Sequence, residues 1–431
     1  MTENDRENEG FSTRAVHAGG EVGASDTRSS ATPIHQTASY NLKDVEEAQK
    51  LFSLEKEGDI YSRISNPTNA VFEERLASLE GGVGSVVTSS GMSALNLIVF
   101  TLMESGDNVV SSSSLYGGTY TFFTQSMPRY GMDAKLVEED DPERFAEKID
   151  DKTRFLHVET IGNPSLDVPD FEGISEVADE ANVPLVVDNT FATPYLCRPF
   201  EHGADIVWHS TTKWLNGGGT TIGGAVVDSG DFEWENGDFA QLTEPDPSYH
   251  GVNFRERFGD AAFITNLRAR GLRDLGSAQS PFDTFLNLKG LETLPLRMDK
   301  HCENAMEVAE FLQEHPGVSW VNYPGLSTHS SHEPASKYLE NGFGGMIGFG
   351  VSGGYEAGKH LLESVDMISF LANVGDAKSL IIHPSSTTHQ QLDEEEKKSA
   401  GITDDALRLS VGIEDPSDIK NDLREALSET Q

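Results

Sequence analysis

The stretch Asp205-Ile206-Val207-Trp208-His209-Ser210-Thr211-Thr212-Lys213-Trp214 decides the fold. It starts as a short apolar run and passes into hydroxyl residues, a lysine and the turn Gly217-Gly218-Gly219. A run of this kind, bounded by Gly and Asp, reads as a strand buried on both faces of a parallel sheet. Similar runs stand at Ser85–Thr88, Asn108–Ser111, Ala134–Val137, Phe155–Val158, Pro184–Val187 and Gly223–Val227. Between and before them, Val71–Glu80, Met92–Met103, Tyr120–Tyr130, Pro142–Ile149 and Ile174–Ala181 read as helices. The alternation predicts an α/β fold with a mainly parallel seven-stranded sheet.

Further out the rhythm changes. Residues 1–30 are polar and rich in Gly, Ser and Thr, and read as a disordered start leading into an arm. Residues 231–258, with Thr243-Glu244-Pro245-Asp246-Pro247, read as a long surface loop. One long helix is expected from Pro281 to His315, with Leu286, Leu291, Leu294, Met298 and Cys302 on one face. Phe343–Val351 as a strand and Gly354–Val365 as a helix suggest a smaller C-terminal α+β domain. The expected division is an arm over 1–60, a large domain over 61–290 and a small domain over 291–431.

The chain of 431 residues has 71 acidic and 32 basic side chains, a formal net charge of −39. That charge opposes binding to nucleic acid, whose phosphates need a cationic surface, and to anionic lipid. Dispersed acid with few lysines suits a soluble protein in a salty cytoplasm, where salt screens the repulsion. Cys197 and Cys302 form neither a disulfide framework nor a metal-ligand spacing. The polar N-terminus lacks a signal-peptide pattern, and the apolar run Ala94–Met103 is too short to span a bilayer.

Ligands of parallel α/β sheets lie beyond the carboxyl ends of the strands. Ser90-Gly91-Met92 follows the first strand and opens a helix, a cradle for an anion. Leu115-Tyr116-Gly117-Gly118 puts a tyrosine on a glycine-supported loop, where it can lie over an aromatic ring. Asp188 ends an apolar strand, as an anion against a ring nitrogen or as a simple cap. Lys213 stands between Ser210, Thr212 and Trp214, and an enclosed lysine amine is a nucleophile for carbonyls. Each residue alone also has an ordinary structural use. Together they describe one ligand, pyridoxal 5′-phosphate (PLP), which needs a Schiff-base lysine and an acidic partner for its pyridine nitrogen. A nucleotide-binding module would need a P-loop or a GxGxxG after the first strand, and neither is present.

The sequence resembles the Cys/Met-metabolism family of PLP enzymes, which have the aspartate-aminotransferase-type fold (PLP-dependent transferase type I), from about Phe11 to Ala426. Four stretches carry the resemblance in order: Tyr61-Ser62-Arg63-Ile64-Ser65-Asn66-Pro67-Thr68, Val187-Asp188-Asn189-Thr190, the lysine stretch quoted above, and Leu407-Arg408-Leu409-Ser410-Val411-Gly412. Leu242–Gly251 and Ala372–Leu380, continuing to Ile382-His383-Pro384 and Thr387–Leu392, resemble the O-acetylhomoserine sulfhydrylase branch. In one departure, Gly218 stands where that family usually carries His or Gln.

The resemblance implies that Lys213 holds PLP as a Schiff base and that Asp188 pairs with the pyridine nitrogen. It implies that Tyr116 stacks on the ring and that Gly91, Met92, Ser210 and Thr212 bind the phosphate. Tyr61 and Arg63 would reach that phosphate in a neighbouring copy, within a tetramer built of dimers that share active sites. Arg408, with Ser379 and Asn163 beside it, would clamp the substrate carboxylate, while Tyr116 or Tyr61 would assist Lys213 in proton transfer. The implied reaction is γ-replacement on O-acetyl-L-homoserine with sulfide or a thiol, giving homocysteine or methionine and acetate. Cystathionine γ-synthase or a γ-lyase of the same family stands beside it, as does, in another class, a non-catalytic acidic binding protein.

Overall fold

The computed structural model describes residues 9–22, 28–138, 140–387 and 403–428. All seven expected runs form one sheet: β1 Gly84–Thr88, β2 Asn108–Ser112, β3 Asp133–Val137, β4 Thr153–Glu159, β5 Leu185–Asp188, β6 Ile206–His209 and β7 Gly224–Asp228. Their order is β1-β7-β6-β5-β4-β2-β3. β7 runs antiparallel to both neighbours, and the other pairings are parallel. Most of the sheet is buried on both faces, so its strands are apolar at their centres rather than strictly alternating, while β3 at the edge keeps Asp133 exposed. In β5, Leu185 and Val187 enter one core and Val186 the other; in β6, Val207 opposes Ile206 and Trp208.

Helices cover both faces. The helix Pro67–Glu80 starts with Asn66 accepting from the Thr68 N–H at 2.9 Å and with Pro67 in its first turn. It ends at Gly81, in the left-handed region at φ +88°. Helix Gly91–Leu102 is capped by Ser90, which accepts from the Ser93 N–H at 3.1 Å. A second sheet is formed by β8 Val318–Asn322, β9 Met346–Val351, β10 Ser369–Phe370, β11 Leu380–Ile382 and β12 Ala406–Ser410, in the order β10-β11-β12-β9-β8.

The expected single helix over 281–315 is two, Pro281–Leu291 and Leu294–Glu314. Pro295 has no N–H to give to the preceding turn, so the first helix cannot run through it. The second helix joins the layers: Leu294, Met298 and Cys302 pack into the large core, while Ala305, Val308, Ala309 and Leu312 pack under the small sheet. The corner between the two helices grips the loop after β6. A Cβ on Gly290 would lie 2.2 Å from the Leu215 carbonyl oxygen. Buried Arg297 donates to the carbonyls of Trp214 and Gly290, both at 2.8 Å.

Three other expectations change. Residues 231–258 are not a surface loop. Phe232, Trp234, Phe239, Leu242 and Phe254 are buried, and the Trp234 ring stacks on Phe263 with centroids 5.5 Å apart. These aromatics follow no helix or strand period, so a reading by periodicity passes over them. The helix expected over 120–130 begins at Gly117 and becomes π-helical over Phe122–Ser126 and 3₁₀ over Met127–Tyr130, where Pro128 intervenes. Within the expected disordered start, Phe11–His17 is a helix with Ala15 fully buried; residues 1–8 and 23–27 lie outside the described residues.

If the 231–258 segment is core, Trp234→Ala removes a packed aromatic and costs about 3–5 kcal/mol. Chemical denaturation should show that loss; a surface loop would lose less than about 0.5 kcal/mol.

Candidate active site

β4, β5 and β6 end side by side, with Glu159 opposite Asp188 and Asp188 opposite Trp208. A cavity of about 310 Å³ opens at these carboxyl ends. Gly91, Met92, Tyr116, Asn163, Asp188, Ser210, Thr212, Lys213 and Arg408 all line it, although they are spread over more than 300 positions of the sequence. The large sheet brings all of them but Arg408 together, because each strand-to-helix turn falls on the same edge.

Lys213 sits on the loop after β6, and its Nζ donates to Asn373 Oδ1 at 2.6 Å. Burial pulls its amine down to about 8, helped by the cation of Arg408 and opposed by Asp376. Asp188 accepts from the Thr190 backbone N–H at 2.9 Å and from the Thr190 hydroxyl at 2.5 Å. Burial raises its pKa against those two donors, and nearby His209 lowers it. A cationic ring nitrogen in the cavity would hold it ionised.

At the anion end, the helix Gly91–Leu102 presents its first-turn amides to the cavity edge. Gly91 is needed for close approach, since a Cβ there would lie 2.8 Å from the Ser210 Cβ. The Ser210 N–H donates to Thr190 Oγ1 at 2.8 Å, and Thr212 Oγ1 accepts from the Gly223 N–H at 3.0 Å. Tyr116 lies across Gly118, where a Cβ would meet its ring at 2.4 Å. Its backbone N–H donates to Glu159 at 2.6 Å.

Arg408 projects from β12 of the small sheet and is buried. It donates to Asn163 Oδ1 at 3.2 Å, and among the described residues it forms no ion pair with a carboxylate. Burial lowers its pKa to about 10, so it stays charged at neutral pH. A buried guanidinium of this kind fits a carboxylate from a ligand.

Ser379, Tyr61 and Arg63 are not on this wall. Ser379 is fully buried, donating to Glu414 Oε2 at 3.0 Å and accepting from the Gly412 N–H at 2.9 Å. Tyr61 and Arg63 are exposed just past the arm, where Arg63 packs over the Tyr61 ring and donates to the Arg273 carbonyl at 2.7 Å. Of the stretch Thr387–Leu392, positions 388–392 lie outside the described residues.

The sequence reading passed over Glu159, Thr190 and Asn373 as site residues. Glu159 ends β4 just as Asp188 ends β5, so the same strand-end rule applied once more would have found it. Burial and the neighbouring Asp188 push its carboxyl well above the usual range. Asn373 lies in the Ala372–Leu380 stretch that carries part of the resemblance, but nothing local points to its contact with Lys213 across 160 residues.

These residues fit PLP. The Gly91 cradle suits the phosphate, buried Asp188 suits a protonated pyridine, and Lys213 has the lowered amine a Schiff base needs. Residues 12–428 match the family model described as Cys/Met metabolism PLP-dependent enzyme, and the chain belongs to that PLP-dependent family. An O-acetyl-L-homoserine sulfhydrylase of Leptospira meyeri is 51% identical, covering 96% of each chain. A homocysteine synthase of Schizosaccharomyces pombe is also 51% identical, over 98% of this chain and 99% of its own. A solved structure from Campylobacter jejuni, described as an O-acetylhomoserine (thiol)-lyase with a pyridoxyl-lysine phosphate, superposes with a TM-score of 0.94. It is 38% identical and covers 97% of this chain and all of its own.

The departure at Gly218 leaves no steric mark. A Cβ there would meet nothing closer than 3.5 Å, and its N–H donates to Asn216 Oδ1 at 3.1 Å. Gly218→Ala should therefore leave the thermal midpoint and PLP affinity unchanged. Gly91→Ala, which pushes Ser210 out of place, should raise the PLP Kd about tenfold or more in a fluorescence titration.

Proposed function

We propose that the protein replaces the acetoxy group of O-acetyl-L-homoserine with sulfide or a thiol, releasing acetate and forming homocysteine or a thioether amino acid. One observation carries the reading: Lys213, Asp188 and Arg408, which has no carboxylate partner among the described residues, converge on one cavity. Relatives that are half identical over nearly the whole chain, and are named for this chemistry, support it.

Bound PLP supplies an electron sink for negative charge that develops on the substrate carbons. Asp188 keeps the ring nitrogen protonated, and the Gly91–Met92 amides with Ser210 and Thr212 hold the phosphate. Tyr116 covers the ring face, its loop fixed by Glu159. Arg408 takes the substrate carboxylate, steadied by Asn163, while Ser379 shapes the turn beside it through Glu414. Lys213 takes the Cα proton and moves protons at Cβ, so that acetate leaves Cγ and sulfur bonds to the same carbon. Tyr116 or Tyr61 assists these transfers. The outward placement of Tyr61 and Arg63 supports their reaching the phosphate of a second copy, in a tetramer of dimers.

We also keep the division into an arm over 1–60, a large domain over 61–290 and a small domain over 291–431. No described helix is long and apolar enough to cross a membrane. A cytoplasmic place in a salty cell is supported by the net charge of −39.

With O-acetylhomoserine and sulfide, acetate and homocysteine should appear in equal amounts, and Lys213→Ala should abolish both. Arg408→Lys should raise KM about tenfold or more, because a point charge replaces a bidentate fork. Cystathionine from cysteine, or 2-oxobutanoate with ammonia, as the main product would replace this reading with another reaction of the family.

The charge makes a separate prediction. The thermal midpoint should rise between about 0.1 M and about 1 M KCl as repulsion is screened. A flat or falling curve would remove the salt-adapted reading.

A further inference from the structure

Asn373 and Asp376 lie on the loop before β11 and close over the lysine loop. Lys213 Nζ donates to Asn373 Oδ1 at 2.6 Å, and Asn373 Nδ2 donates to Asp376 Oδ1 at 2.9 Å. The pair fixes the amide orientation: its NH₂ must face the carboxylate, so its oxygen must face the amine. Asp376 is buried beside Gly219, which sits at φ +61° and whose Cβ would lie 2.6 Å from Asp376 Oδ2. The loop itself is clamped. The Gly375 N–H donates to Ser410 Oγ at 2.9 Å, and the Ala377 N–H donates to the Gly217 carbonyl at 2.9 Å. A Cβ on Gly375 would lie 2.6 Å from the Trp214 nitrogen, so the two loops touch backbone to backbone.

We propose that Asn373, held by Asp376, is a catalytic residue that receives the free amine of Lys213 and keeps it aimed and basic for its proton transfers. When the neutral amine uses its lone pair to take a substrate proton, it becomes an ammonium with three N–H groups. One of these goes to Asn373 Oδ1, and that charge-assisted hydrogen bond is stronger than the neutral one. Asp376 polarises the amide from behind and adds negative charge near the ammonium. It works against burial and Arg408, both of which disfavour a cation there. Lys378 faces Asp376 from the same loop and weakens that influence. Glu159, Asp188 and Tyr116 are the other ionisable groups on the cavity wall. A side chain that served packing alone would not need an acceptor turned to Nζ and a donor turned to a buried carboxylate.

The proposal rests on Lys213 as the proton-transferring base, and not on the identity of the leaving group. Its test therefore uses two readouts that do not involve acetate. In the full-length protein before PLP is added, competitive acetylation followed by peptide mapping gives the pH midpoint of the Lys213 amine. That midpoint should fall in Asp376→Asn, which keeps the shape but removes the charge, and also in Asn373→Ala. In the PLP-loaded enzymes, exchange of the Cα proton of L-norvaline with D₂O, followed by NMR, should slow about tenfold or more in both variants at unchanged PLP content. Wild-type midpoints together with wild-type exchange in both variants would overturn the proposal. If the unsubstituted enzyme exchanges L-norvaline but does not turn over O-acetylhomoserine, while both variants exchange slowly and have lowered midpoints, the substrate reading is overturned and this proposal is supported.

Discussion

The structure depends on keeping one lysine amine buried and still reactive. An amine buried alone would lose its proton and its place. Here burial and Arg408 push Lys213 down to about 8, and Asp376 limits the fall. That balance needs the backbone around position 213 to be held from several sides. Arg297 holds the carbonyl of Trp214, the helix corner at Gly290 presses on Leu215 and Asn216, and Gly375 closes against Trp214 from the small sheet. The last two contacts are backbone approaches that a larger side chain would block, which accounts for glycine at 290 and 375.

The two sheets divide the chemistry. The large sheet gathers the first-turn amides of the helix Gly91–Leu102, Asp188 and Lys213 at the carboxyl edge of its parallel strands. The small sheet contributes Arg408 from β12 and the Asn373–Asp376 loop before β11. The helix Leu294–Glu314 packs against both cores, so it sets where β12 with Arg408 sits relative to the lysine loop. A cavity made this way holds its ionisable groups in a largely apolar surround, which strengthens each electrostatic contact inside it.

Much of this was legible in the sequence. All seven strands of the large sheet were, because buried strands are written as short, mainly apolar runs between Gly, Pro and Asp. The residues at their ends were legible for the same reason, since the edge of a parallel sheet is a known place to look. The break at Glu292–Thr293 was within reach through Pro295, but the continuous apolar face across 281–315 masked it. The aromatic packing of Phe232, Trp234 and Phe239 was not legible, because irregular backbone buries side chains without any period.

The sequence by itself determined the fold class and put Lys213 and Asp188 at strand ends, because each follows a local pattern of apolar run, turn and polar residue; Arg408, in the middle of β12, was singled out only by the resemblance of its stretch to the family. Only the tertiary structure decided that Glu159 steadies Tyr116, that Ser379 turns to Glu414 and that Asn373 meets Lys213. Those partners are joined through space and not along the chain. A hydrogen bond between residues 160 positions apart leaves no trace in the spacing of either one, and appears only when two sheets have been packed against a common helix.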